Sequence, residues 1–165
     1  MLHHMAKKTY NEQLNDPAKN TRLFDLTKEM PKYVEKWGNT GIVASPLEYN
    51  EIMKQVPFGL VITTDIMKEY LARKFNVDCV CPLTCGLFVN LCANAAVERN
   101  DKEFPYWRTV KSKGELCEKF PNGINGHRKL LEKEGHKIIQ KGKKYFVQDY
   151  ETKIYQVLAR PSISC

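Results

Sequence analysis

Residues 83–99, LTCGLFVNLCANAAVER, carry no charged side chain before Glu98. A helix over that run cannot lie bare at a surface, because nearly every face of it needs cover. The rest of the chain must therefore supply that cover. Upstream, Thr64 or Asp65 is placed to cap a second helix, TDIMKEYLARKF, which Asn76 can terminate. Earlier still, SPLEYNEIMKQV offers Ser45 as N-cap, Pro46 at the first helical position and Glu48 three residues after the cap, a capping-box signature. Leu47, Ile52, Met53 and Val56 give that helix its apolar stripe. Pro57 and Gly59 close it, and LVITT reads as a short extended link. Helix, short turn over 77–82, buried helix is the gross layout of a helix-turn-helix.

Downstream of the buried run, Ser112, Lys113 and Gly114 mark one turn, and Pro121, Asn122 and Gly123 a second. HRKLLEKEG reads as a short helix stopped at Gly135. HKIIQ and KYFVQD, joined through KGK, read as a β-hairpin with Gly142 in the turn. The expected fold is mainly α with a small β-hairpin: a winged helix-turn-helix-like domain over 45–150. An N-terminal arm (1–44) precedes it and a tail (151–165) follows, which could add one more strand or helix. In the arm, short helices are expected around TYNEQL and TRLFDLTKEM, and Tyr33 and Trp37 are placed to anchor it onto the domain. MLHHM at the start reads as a cloning scar or an alternative start before Met5. The total of 165 residues suits one domain.

The net charge of +7 is local. Residues 101–144 hold twelve Lys/Arg against six Asp/Glu, whereas the segments on either side are close to balance. Charge gathered in this way is the footprint of a polyanion-binding face, or else of a solvated lysine-rich surface. No run is apolar over the length needed to cross a bilayer, and no signal-peptide core opens the chain, so no membrane role is expected and the cytoplasm is the default compartment. Six cysteines stand at 79, 81, 85, 92, 117 and 165. Their spacing matches no standard zinc pattern, and Cys85 and Cys92 are seven apart, so both can face inward from one helix. Reduced, buried core thiols are expected, with no metal and no cofactor.

The basic segment contains PYWRTVKSKGEL. With VPFGLVITTDIM before it and LLEKEG after it, the order of motifs over about residues 47–139 resembles the DNA-binding domain of alkylguanine-DNA alkyltransferases. The resemblance is closest to the alkyltransferase-like proteins, which bind alkylated guanine in DNA without repairing it and pass the lesion to other repair proteins. The active enzymes carry P-C-H-R-V, in which the cysteine accepts the alkyl group and the histidine helps form its thiolate. Here Pro105 and Arg108 match, Tyr106 stands at the cysteine position and Trp107 at the histidine position. A phenol with a pKa near 10 is a poor acceptor at neutral pH, and an indole nitrogen only donates. No catalytic residue is therefore expected at that site.

The resemblance implies double-stranded DNA as the partner, approached through the minor groove, with a repair-pathway protein as a further partner. It implies a pocket for a flipped or alkylated guanine lined by Pro105, Tyr106, Trp107 and Arg108, with Tyr106 meeting the base. Lys111, Lys113 and Lys119 are expected on backbone phosphates. Leu87, Phe88 and Asn90 are expected on the groove-facing helix, where the family's intercalating arginine is missing. Asp65 replaces the tyrosine of a TTY motif that helps rotate the nucleotide. Two other readings stand beside this one: alkyl transfer to a displaced nucleophile, Cys117, and a winged-helix interaction module that reads no lesion. Trp107 is expected to be more buried than Tyr106. His127 and His136, at predicted helix ends without a companion nucleophile, are expected at the surface.

Overall fold

A computed structural model describes residues 6–157; residues 1–5 and 158–165, and with them Cys165 and the end of the tail, lie outside it. Helix α1 (Tyr10–Leu14) opens on a capping box between Thr9 and Glu12. Strand β1 (Arg22–Asp25) leads into α2 (Leu26–Glu29), so the expected helix over TRLFDLTKEM is a strand and a single helical turn. After α3 (Val34–Trp37), β2 (Thr40–Val43) pairs antiparallel with β1.

Helix α4 (Pro46–Met53) is capped as anticipated, Ser45 accepting from the Glu48 amide. The reciprocal half of that box is not formed: the Glu48 carboxylate pairs with Lys74 at 2.6 Å. Strand β3 (Ile62–Thr63) runs into α5 (Thr64–Phe75), whose cap is Thr63, one residue before the expected position. Asn76 ends α5 in the left-handed conformation. The link to the next helix is a two-residue strand, β4 (Cys79–Val80), lying parallel to β2, so residues from both ends of the chain's first half share a three-stranded sheet.

The uncharged run forms α6 (Pro82–Glu98). Its inner side buries Cys85, Val89, Cys92, Ala93 and Ala96 against α4 and α1, and the small residues let those helices approach closely. Its cover is incomplete, however: Leu83 and Leu87, one turn apart, are 73% and 52% exposed. Strand β5 (Thr109–Val110) pairs parallel with β3 and seats the PYWR turn beside the start of α5. Helix α7 (Gly123–Lys133) follows, and then the hairpin of β6 (Ile138–Lys141) and β7 (Lys144–Val147). Gly142 turns that hairpin at φ 63°, where a side chain would be strained. Among the described residues the fold is thus helical with three small sheets, two more than the expected hairpin alone. From the tail, Ile154 makes a parallel bridge to Val61. Among the described residues no helix is long and apolar enough to cross a membrane, and no group of His, Cys, Asp or Glu is arranged to hold a metal.

Candidate nucleic-acid interface

Residues Tyr106–Arg108 form one 3-10 turn between the buried Pro105 and β5. The Tyr106 ring is wedged edge-on between Trp107 and Phe120, with centroids 5.4 and 5.6 Å away, and only 6% of the residue is exposed. Its hydroxyl makes no hydrogen bond among the described residues, and burial raises its pKa. Trp107 is the half-buried partner, so the expected order of burial is reversed. The reason is that Trp107 lies between two core clusters, packed against both, with its Nε1–H held by a carboxylate, Glu134, at 2.9 Å.

Glu134 is the residue that reasoning from sequence missed. Its side chain is 5% exposed, and Arg108 holds its other oxygen through Nε at 2.7 Å and through Nη2. The same guanidinium donates to the Val56 carbonyl at 2.7 Å and lies 5.8 Å from the ring of Phe58. Both carboxylate oxygens are therefore occupied by donors, one indole and one guanidinium. The position where the resemblance places a base holds a group that cannot accept a proton, tied to an acid with no free lone pair aimed at a substrate.

His127 is fully buried and His136 is 6% exposed, against their expected surface placement. His127 is a cross-brace: its Nδ1 accepts the Cys117 amide at 3.0 Å, and its Nε2–H donates to the Trp107 carbonyl at 2.8 Å. Those two bonds fix the neutral tautomer. Burial pushes the imidazole pKa down to about 4, the Trp107 hydrogen bond opposing it. The Cys117 thiol is buried as well, and desolvation pushes it up to about 12, so it stays protonated at neutral pH.

The open feature of this region is a groove of about 310 Å³ along α6, whose walls include Leu83, Gly86, Leu87 and Asn90 of the helix and Lys111, Cys117, Glu118 and Lys119 opposite it. A Cβ added at Gly86 would meet nothing within 4 Å, so a partner's backbone can come close to the helix there. Of the expected phosphate lysines, Lys111 and Lys119 lie on this groove, while Lys113 is exposed on the adjoining turn in a left-handed conformation at φ 61°. Lys111 also pairs with Glu115 at 3.4 Å. Leu87 and Asn90 face the groove; Phe88 is half-buried, its ring 6.3 Å from Tyr49. Tyr106 does not line the groove but packs on Phe120, the residue after Lys119. Asp65 is occupied: it accepts from Ser112 Oγ at 2.5 Å and pairs with Lys68 at 3.5 Å. The pairing of Leu83 with Leu87 was readable from their spacing; nothing local marks Glu134 or Phe120 as neighbours of PYWR.

No family model matches the chain, and no curated protein matches it. Among solved structures, S. pombe Atl1 in complex with damaged DNA containing O6-carboxymethylguanine is similar over 68% of this chain and 94% of that chain, at 16% sequence identity and a TM-score of 0.45.

Proposed function

We propose that this chain is a non-enzymatic DNA-binding protein that takes duplex DNA on the α6 groove, through the minor groove, and favours duplexes carrying alkylated guanine. The observation that carries the reading is the pair of exposed leucines on either side of Gly86, set in a trough where Lys111 and Lys119 outnumber the one carboxylate, Glu118. Two bare leucines a turn apart are costly in water, and an apolar ridge between cations suits unstacked bases flanked by phosphates. Lysine contacts to phosphate make the affinity salt-dependent and tolerant of sequence. Tyr106 stands one layer behind that wall, so a flipped guanine reaches its ring only if Phe120 or the tyrosine yields.

Mobility shift with matched duplexes, one carrying a single alkylated guanine, tests both parts. Binding that favours the alkylated duplex, with the preference lost in Tyr106→Ala, is the expected result. Equal affinity for both duplexes removes lesion recognition, and no binding to either removes the function. The burial of the Tyr106 ring favours a second reading, an interaction module that reads no lesion, and equal affinity is the outcome that reading requires.

A further inference from the structure

A second hollow of about 440 Å³ lies beside the α6 groove and shares Leu87, Asn90 and Lys119 with it. Its far wall comes from the N-terminal segment: Tyr10 and Gln13 of α1, and Lys19. Helix α6 is therefore a ridge between two troughs, one walled by Lys111, the other by Tyr10, Gln13 and Lys19, with Lys119 at the edge of both. We propose that the N-terminal segment is the second half of the DNA site, and that Tyr10, Gln13 and Lys19 hold the sugar-phosphate backbone of the strand opposite the one held by Lys111. This rests on the reading of the α6 groove as a DNA site.

Three features support it. A helix inserted in a groove of a duplex is flanked by two backbones, so each trough has a strand to receive. The second trough adds one cation of its own, Lys19, to the Lys119 that it shares with the first; no carboxylate lines it, and Tyr10, Gln13 and Lys19 are of the types that contact phosphate oxygens. The acids of this segment are turned to other uses: Glu12 of α1 closes the capping box, and Asp16, just beyond the helix, pairs with Lys8 at 2.7 Å. The wall is also fixed in place. The Glu98 carboxylate of α6 accepts from the Tyr10 and Asn11 amides at 2.9 and 3.0 Å, and Asn11 Nδ2 donates to the Ala95 carbonyl at 2.9 Å. An exposed tyrosine held this firmly beside a ridge costs little ordering entropy when a partner arrives.

The test is hydroxyl-radical footprinting of a duplex with the full chain, together with affinity measured over a salt series. Wild-type protein should protect both strands. Lys19→Ala should lose protection on one strand, keep it on the other, and lower the slope of log affinity against log salt by about 0.9, the share of one phosphate contact. Lys119→Ala should lower the slope comparably, and Lys28→Ala, outside both troughs, should leave it unchanged. If Lys19→Ala and a Tyr10→Ala, Gln13→Ala variant keep both footprints and the full slope while Lys119→Ala weakens binding, the second wall is wrong and the α6 site stands. If the wild-type chain binds no duplex, the functional reading falls and the second wall with it.

Discussion

Removing the Glu134 carboxylate should unsettle the PYWR turn more than any other single change near it. In Glu134→Ala, Arg108 keeps only the Val56 carbonyl, and the Trp107 indole N–H loses its acceptor. Breaking a buried ion pair from one side costs about 3–5 kcal/mol, because the remaining charge stays desolvated. Glu134 is 5% and Arg108 16% exposed, so water reaches the arginine a little and the lower end applies, about 3 kcal/mol. The unpaired indole belongs to the same network and is not added separately. For a chain of this size the loss is a fall in Tm of about 6–12 °C. Urea denaturation followed by tryptophan fluorescence measures it directly. In a double-mutant cycle, Arg108→Ala should cost far less in the Glu134→Ala background, with a coupling of about 2 kcal/mol. A Glu134→Ala protein within 1 kcal/mol of wild type, or a coupling near zero, would refute the reasoning.

Two further outcomes follow from burial. His127 is neutral in the fold with its pKa depressed to about 4, below the value it regains on unfolding, so the unfolded chain binds more protons between those values. Stability should therefore be complete above about pH 6.5 and fall as pH drops toward 4. His136, also lowered by burial, adds to the same trend, and His127→Gln should flatten most of it in thermal melts across that window. Cys117 should resist iodoacetamide in the native state and react in urea, and the intact mass should gain no methyl after incubation with methylated duplex; a one-methyl gain would restore the displaced-nucleophile reading.

What was legible in the sequence is what is local. Ser45 caps α4, Asn76 ends α5, Gly142 turns the hairpin and α6 spans the uncharged run, because each depends on residues a few positions apart. The parallel pair of β3 and β5 escaped, since two residues per strand show no period and their partners lie far along the chain. Glu134 escaped for a like reason: it is 27 residues from Trp107, and a glutamate in a lysine-rich helix end looks like ordinary solvated charge. The burial of Tyr106 against Trp107 was misjudged from the size of the indole and the polar tip of the tyrosine. A tyrosine pinned between two rings buries more completely than an indole whose polar edge has a carboxylate to meet. The N-terminal wall of the α6 groove was invisible for want of any contact between 10–19 and 87–119 that a linear pattern could reveal.

These placements separate two roles that one short motif would otherwise combine. In PYWR every polar side-chain group except the Tyr106 hydroxyl is committed, Trp107 and Arg108 to Glu134, and the backbone carbonyl of Trp107 is held by His127. The turn is therefore built as a lock that holds 105–110 against α7 and the 117–120 segment. The α6 groove is built the other way: Leu83 and Leu87 face open space, and the side chain of Lys119 makes no hydrogen bond or ion pair among the described residues, though Lys111 pairs with Glu115. Substitutions in the lock should then lower stability and leave the salt slope of DNA binding unchanged in whatever protein remains folded. Substitutions on the ridge should change affinity and leave the melting temperature within the scatter expected of surface positions.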